Sequence, residues 1–215
     1  MIAYVRKIVY FTDMKTAEAI KTQLEHLPIG EPFTTRVFMS LGPRTAVDQA
    51  LSRLVRTGAI ARLARGVFVK PRISAYVGTV TPEPLKVAQA IASANGETVQ
   101  VHGAEAARRL ELSTQVPTRA VFYTSGASRR VQVKGTPVEL RHAARRKLAL
   151  AGRPAGLALS ALWYLGKKHT TPSVLEKIRN RLSPEEFEAL RAAAAHMPAW
   201  MAQAIRRHQT PSSRA

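Results

Sequence analysis

The stretch from Pro43 to Pro71 constrains the fold more than any other part of the sequence. Near its start, five apolar residues recur at the helical spacing i, i+3, i+4, i+7 and i+8. These residues are Val47, Ala50, Leu51, Leu54 and Val55. The stripe predicts a helix with one face against a core. Pro43 suits the first helical turn, and Gly58 suits the position after the helix because it has no Cβ to clash at positive φ.

A short β hairpin is predicted directly after this helix. Ile60–Ala64 and Val67–Val69 are rich in β-prone residues. Arg65 and Gly66 form the turn between them, and Pro71 ends the second strand because proline cannot donate to a sheet. A helix followed by a hairpin is the order of a recognition helix and a wing.

Two further helices are predicted before Pro43. Asp13 is a candidate N-cap for the first helix, whose apolar side consists of Ala17, Ile20, Leu24 and Leu27. Thr34 or Thr35 caps a short second helix with Val37, Phe38 and Leu41 inside. Residues 2–11 fit either a strand or an N-terminal arm. The order of elements predicts a winged helix-turn-helix over residues 13–72.

The side of the Pro43–Pro71 helix opposite its apolar stripe carries hydrogen-bond donors. Gln49 suits adenine and Arg53 suits guanine in a DNA major groove. Arg62, Arg65 and Lys70 are placed on or beside the wing, where they contact phosphates. Arg44 lies nearer the buried side, but at the helix N-terminus it still reaches a phosphate. The candidate DNA-binding residues are Arg36, Arg44, Thr45, Gln49, Ser52, Arg53, Arg56, Arg62, Arg65 and Lys70.

The remainder of the chain is predicted to form a second domain over residues 73–208, a mixed α/β part that ends in helices. Residues 72–84 are a linker or an entry strand, and residues 209–215 are a disordered tail. Strands are predicted at Thr98–His102, Arg119–Thr124, Arg130–Lys134 and Val138–His142, the last three as an antiparallel meander. Helices are predicted at Leu85–Ala94, Ala104–Leu110, Ala155–Leu165, Ser173–Leu182, Pro184–Ala195 and Ala199–His208, with Ser183 and Glu186 as a capping box. The fold class is therefore α+β.

The formal net charge of +19 predicts a polyanionic partner, since clustered cations gain free energy by releasing counterions from phosphates. Double-stranded DNA is the first candidate. A membrane is not expected, because the apolar run Pro154–Gly166 is shorter than the roughly 20 residues of a spanning helix. Trp163 and Tyr164 in this run are predicted to lie in the core. With no signal-peptide cleavage site, we expect a cytoplasmic protein.

A second basic patch is predicted at Arg141, Arg145, Arg146 and Lys147. Two interpretations stay open at this stage. The patch contacts the phosphates of DNA or RNA, or it docks an acidic protein partner.

Residue types argue against an enzyme. Metal-dependent nucleases and nucleotidyltransferases need clustered carboxylates, and the only aspartates are Asp13 and Asp48. There is no cysteine, and the six histidines lie at no zinc-ligand spacing. We expect no catalytic residue, no metal and no cofactor.

Several segments together resemble one known family. They are Arg44–Pro71, Leu110–Val133, Arg141–Leu150, Leu162–Lys168 and Pro198–Met201. They resemble the AbiEi-like antitoxins, which are transcriptional regulators of type IV toxin-antitoxin systems. The resemblance implies a repressor that binds the operator of its own operon and counters a nucleotidyltransferase-fold toxin. It implies no catalytic residue.

Two other functions remain compatible with the sequence. One is an RNA-binding or RNA-modifying accessory protein that uses the C-terminal basic surface. The other is an adaptor that binds a partner protein and touches nucleic acid only non-specifically. The sequence does not determine the oligomeric state.

Overall fold

The computed structural model describes residues 15–76, 78–133 and 135–208. They form two compact units: the described residues up to Gly96 with residues 131–137, and residues 97–130 with residues 138–208. Both contain helices and strands, which confirms the α+β class. The predicted strand or arm at residues 2–11, the N-cap Asp13 and the tail 209–215 lie outside the described residues.

The first unit begins with a helix and continues into a small sheet. Its elements are α1 (residues 15–26), β1 (Pro32–Thr34), a 3₁₀ turn (Thr35–Phe38), α2 (Arg44–Arg56), β2 (Ala61–Ala64), β3 (Val67–Val69), β4 (Arg72–Ser74), β5 (Gly78–Val80) and α3 (Pro84–Asn95). Strand β3 lies between β1 and β2 and is antiparallel to both. Strands β4 and β5 form a separate hairpin where a linker or entry strand was predicted.

The apolar stripe of α2 faces the core of this unit, as predicted. Val47, Ala50, Leu51 and Leu54 are buried, and Val55 is half-buried. They pack with Ile20 and Leu24 of α1, and with Phe33, Phe38 and Phe68 around the sheet. The Phe33 ring lies 5.7 Å from that of Phe38 and 6.1 Å from that of Phe68, between ring centroids. These contacts hold α2 in one orientation on the sheet.

The predicted second helix is only one 3₁₀ turn. Pro32–Thr34 pair with β3, so the backbone stays extended as far as Thr34. The Thr34 side chain makes no capping hydrogen bond. The turn leading into α2 then begins soon after Phe38, which leaves no room for an α-helix. Sequence periodicity detected the buried positions here but not the strand that shortens the helix.

Helix α3 belongs to the first unit, which therefore extends beyond residue 72. It packs on β1 and β3. Val87, Ala88, Ile91 and Ala92 are its buried residues. The helix ends at Gly96, whose φ of 69° is left-handed. The sequence predicted this helix but not the unit to which it belongs.

The second unit contains a four-stranded sheet and several helices. Its elements are β6 (Val99–Val101), α4 (Gly103–Arg109), β7 (Ala120–Thr124), β8 (Arg129–Val133), β9 (Thr136–His142), a 3₁₀ turn (Arg145–Leu148), α5 (Pro154–His169), α6 (Pro172–Arg181), α7 (Pro184–Ala192), a 3₁₀ turn (Ala193–His196) and α8 (Ala199–Arg207). The tip of the β8–β9 hairpin, residues 131–137, groups with the first unit.

The sheet is not the predicted antiparallel meander. Its strand order is β6-β7-β9-β8, and β7 and β9 run parallel. Strand β9 buries Val138 and Leu140, whereas β8 buries Val133 alone. The strand with more buried side chains lies between two neighbours, and the other takes the edge. Composition did not predict this order, because both strands mix apolar and charged residues.

Helix α5 is central to the second unit. It packs against α4, α7 and β6 and buries Leu159 and Leu162. Its regular backbone is interrupted at Gly166, where φ is 70°. In the described residues, no helix combines the length and the apolar character that crossing a bilayer requires.

The predicted capping box of α7 is half formed. The Ser183 hydroxyl accepts from the Glu186 amide, as expected for an N-cap. The Glu186 carboxylate, however, accepts from the Arg153 guanidinium and from the Ala155 amide at the start of α5. It therefore caps a neighbouring helix in place of its own. Such a partner, 31 residues away, has no local signal in the sequence.

Candidate nucleic-acid interface

The exposed side of α2 carries the five residues predicted to face DNA. Thr45, Gln49, Ser52, Arg53 and Arg56 are all exposed. At about 100° per residue they form one continuous stripe along the helix. Arg53 and Arg56 form no ion pair within the described residues. The surface is therefore able to donate hydrogen bonds to a ligand without first breaking internal ones.

Ser52 is an exception within this stripe. Its hydroxyl donates to the carbonyl of Asp48, one turn earlier, at 2.7 Å. Because a hydroxyl has one proton, Ser52 is left mainly with acceptor capacity. It is thus less suited than Thr45 to contact a phosphate.

Arg44 lies at the N-terminus of α2 and is more exposed than the helical wheel predicts. Its side chain is 75% exposed and forms an ion pair with Asp48 at 3.6 Å between nitrogen and oxygen. The N-cap residue, Pro43, makes no side-chain hydrogen bond to the first turn. The amides of that turn therefore remain available to an anion, and the helix dipole favours one there.

The β2–β3 hairpin presents two arginines to solvent. Arg62 is exposed and its guanidinium carbon lies 5.4 Å from the centroid of the Phe68 ring. Arg65 is exposed at the turn, beside Gly66 with φ of 72°. Arg36, in the 3₁₀ turn, is also exposed. All three belong to the same compact unit as α2.

The structure gives Lys70 a different environment from the one predicted. Its ammonium donates to the carbonyls of Leu24, Glu25 and Leu27, at 3.0, 3.2 and 3.1 Å. These carbonyls lie at or just beyond the C-terminal end of α1, where a helix leaves acceptors without partners. All three ammonium protons are thereby used, so Lys70 caps α1 and has no proton left for a phosphate. A contact 46 residues along the chain from Leu24 could not be read from local sequence.

The second basic patch lies in the second unit, on β9 and the following 3₁₀ turn. Arg141 donates to Glu139 at 2.8 Å. Arg145, Arg146 and Lys147 form no ion pair within the described residues. The guanidinium carbon of Arg146 lies 5.2 Å from the centroid of the Trp163 ring. The Lys147 ammonium lies 5.8 Å from the ring centroid of Tyr123 and 5.3 Å from that of Trp163.

Aromatic rings near this patch were not predicted as functional. Tyr164 is 46% exposed, so the prediction that it is a core residue was wrong. Trp163 is half-buried with a buried indole nitrogen, so for this residue the prediction was partly right. The His102 ring lies 4.8 Å from Tyr123 and 6.2 Å from Tyr164, between centroids. The only sequence signal for Tyr123 was its alternation with the buried Phe122 and Thr124 along β7.

Neighbouring charges shift the pKa values in this region. The hydrogen bond from Arg141 lowers the pKa of Glu139, so this carboxylate stays ionised. Burial, and then the charges of Arg141 and Lys147, hold the pKa of His102 below its ordinary 6.5. Burial raises the pKa of Tyr123. At neutral pH the histidine and the tyrosine are therefore uncharged rings beside fixed cations.

The comparisons with known proteins identify a family. DUF6088, described as a family of unknown function, matches residues 8–190. The chain belongs to DUF6088. No curated protein matches this DUF6088 member.

One solved structure is similar to this DUF6088 protein. It is the crystal structure of the RV2827C protein from Mycobacterium tuberculosis, at 15% sequence identity and a TM-score of 0.39. The match covers 94% of this chain and 83% of that one. A likeness at this TM-score carries no inference about fold or function.

Within the described residues, no group of three or more histidine or acidic side chains is placed to hold a metal ion.

Proposed function

We propose that this protein is a sequence-specific DNA-binding repressor whose first unit works as a winged helix-turn-helix. In this proposal α2 is the recognition helix and the β2–β3 hairpin is the wing. The observation that carries the proposal is the exposed stripe of α2, where Gln49, Arg53 and Arg56 face solvent and neither arginine has an ion-pair partner in the described part of the chain. The opposite side of the same helix is fixed in the core, so these side chains are held on a rigid support.

The proposal assigns different roles to the exposed side chains. Gln49 and Arg53 lie near the middle of the stripe and contact base edges in the major groove. Thr45, Arg56 and the first-turn amides of α2 contact phosphates. Arg36, Arg62 and Arg65 extend the phosphate contacts, whereas Lys70 is left out because its protons are used within the fold.

The proposed biological setting comes from the resemblance to AbiEi-like antitoxins. The DNA is then the operator of the protein's own operon, in the cytoplasm. The second partner is a co-encoded nucleotidyltransferase-fold toxin, which the protein counters. The net charge of +19 supports a nucleic-acid partner, and electrostatic attraction to phosphates speeds the encounter.

The test compares alanine and lysine at the two proposed types of contact. Protein is titrated against the DNA upstream of its own reading frame and against shuffled DNA, at about 0.15 M salt. Arg53→Ala should cost about 1 to 3 kcal/mol on the operator and reduce the preference over shuffled DNA. Arg53→Lys should lose most of that preference too, because an ammonium cannot make the two-pronged contact with guanine.

Arg65 is the matched position on the wing. Arg65→Ala should weaken binding to both DNAs alike and lower the salt dependence by about one unit. Arg65→Lys should bind almost as well as the unchanged protein, since a phosphate needs only a nearby positive charge. If the lysine variants at the two positions behave alike, the division into base and phosphate contacts is incorrect. If operator and shuffled DNA bind equally, the repressor proposal fails.

A further inference from the structure

Six residues of the second unit form a continuous cluster of rings and cations, which we call the aromatic–basic patch. They are His102, Tyr123, Arg146, Lys147, Trp163 and Tyr164. We propose that this patch binds single-stranded nucleic acid, with bases stacked on its rings and phosphates on its cations. This site is separate from the α2 surface proposed to bind duplex DNA and lies in the other unit.

The patch is assembled from parts of the chain that are far apart in sequence. His102 follows β6 and Tyr123 lies on β7. Arg146 and Lys147 lie in the 3₁₀ turn after β9, and Trp163 and Tyr164 lie on α5. Each member is within 6.2 Å of another, measured between ring centroids or from a cationic group to a centroid. Arg146 and Tyr164 are exposed and the other four members are half-buried, so the cluster reaches solvent along its length and a flexible strand can follow it.

Close packing holds this surface in shape. The Ser160 hydroxyl on α5 donates to the carbonyl of Val101 on β6 at 2.7 Å, and both residues are buried. A Cβ built on Gly103 would lie 2.3 Å from the Cβ of Tyr164. The absence of a side chain at Gly103 thus lets α4 and α5 approach closely enough for His102 to meet Tyr164.

The cations of the patch are not neutralised internally. Arg146 and Lys147 form no ion pair in the described residues, and exposed Arg145 adjoins them in the same turn. The nearby acid Glu139 is already paired with Arg141 at 2.8 Å and with Arg130 at 3.8 Å. A bound phosphate would therefore meet free positive charge.

The rings distinguish a nucleic-acid strand from an acidic protein surface. Cations alone would serve an acidic partner, and an exposed tyrosine ring would add little to that contact. Unpaired bases offer π-faces at the spacing of successive phosphates, and stacking on aromatic rings is the usual way proteins bind them. The uncharged His102 ring is compatible with stacking. A DNA duplex hides its base faces, so the patch favours a single strand.

The test uses the full-length protein and labelled oligo(U) and oligo(dT) of about 12 nucleotides, a length in the usual range for such sites. Binding is followed by fluorescence anisotropy at several salt concentrations. Tyr164→Ala should weaken binding by about 5- to 100-fold, and Tyr164→Phe by less than about 2-fold because the ring remains. The double change Arg146→Ala with Lys147→Ala should reduce the salt slope by about 1.4, or 0.7 for each lost phosphate contact.

A charge-matched control also removes two positive charges, but from another part of the second unit. Arg206→Ala with Arg207→Ala, both exposed on α8, should change oligonucleotide binding much less than the patch variant. The circular dichroism spectrum and unfolding midpoint of every variant establish that it is folded. Duplex operator binding should be unaffected by Tyr164→Ala, and oligonucleotide binding should be unaffected by Arg53→Ala. The failure of one proposal can therefore be distinguished from the failure of the other.

Three results would overturn the inference. One is an equal loss of oligonucleotide binding in the patch and control double variants. Another is an undiminished affinity in Tyr164→Ala together with full competition by inorganic polyphosphate, which has no bases; this outcome indicates docking of an acidic surface. The third is no binding of either oligonucleotide.

Two results would support the inference. Binding of oligo(U) alone identifies RNA as the ligand, and equal binding of both oligonucleotides indicates stacking without recognition of the sugar.

Discussion

Replacing Lys70 tests whether this residue stabilises the fold or contacts DNA. Its ammonium makes three hydrogen bonds to carbonyls at the end of α1, between 3.0 and 3.2 Å. Lys70→Met keeps an unbranched apolar stem that ends at Cε, but it removes the charge and all three donors. The Leu24 carbonyl would keep the Leu27 amide as a donor at 3.2 Å, and the carbonyls of Glu25 and Leu27 would lose their side-chain donor to water.

The expected loss can be worked out from these contacts. Hydrogen bonds from a charged group contribute about 1.5 to 3 kcal/mol, and a cation at a helix C-terminus adds about 0.3 to 1 kcal/mol. Three such bonds would sum to about 4.5 to 9 kcal/mol, but Lys70 is half-buried and water replaces most of them, so we count them together as about one net bond. We expect a decrease of about 2 kcal/mol in the free energy of unfolding, which is a shift of about 1 M in the urea midpoint at a typical m value.

The measurement is urea unfolding followed by circular dichroism, with duplex DNA binding assayed on the folded protein. Lys70→Met should lower the midpoint and leave DNA affinity nearly unchanged. Arg65→Ala is the comparison, because Arg65 is exposed and should change affinity without changing stability. If Lys70→Met leaves the midpoint in place and lowers the salt dependence of DNA binding by about one unit, Lys70 contacts a phosphate and the capping role is refuted.

Two further predictions concern the second unit. Gly103→Ala places a Cβ 2.3 Å from the Cβ of Tyr164 and 2.7 Å from the Ser160 carbonyl oxygen. It should lower the free energy of unfolding in urea by about 1 to 3 kcal/mol. An unchanged urea midpoint would contradict this packing. The pKa of His102 is lowered from 6.5 in the folded protein, so the unfolded chain binds more protons as the pH falls below 6.5 and stability decreases there. Urea unfolding at about pH 7 and about pH 5.5 should show this decrease, and His102→Asn should remove it. The pKa values of Glu97, Glu105 and Glu139 are lowered from 4.5 in the folded protein. Their contribution to the free energy of unfolding should therefore remain in His102→Asn and be lost only as the pH falls below 4.5.

Local sequence was sufficient for the longer helices and for the exposed face of α2. The spacing of Val47, Leu51 and Leu54 predicted both the helix and the side that is buried, because a helical period leaves no choice once one face is apolar. Ser183 as a cap and Gly58 just after α2, with a φ of 76°, were equally local. The DNA-facing roles assigned to the opposite side remain predictions.

Tertiary structure decided the features that depend on distant partners. Pairing of Pro32–Thr34 with β3 replaced a predicted helix by a single turn, and β9 lies between β7 and β8 although its sequence mixes apolar and charged residues. The role of Lys70 depends on where the end of α1 lies, and the aromatic–basic patch depends on the packing of α5 beside β6. Periodicity records which side of an element is apolar, but it does not record which element will cover that side. That choice is made by the packing of the whole unit, since one arrangement must bury all the apolar faces and satisfy the buried hydrogen bonds together.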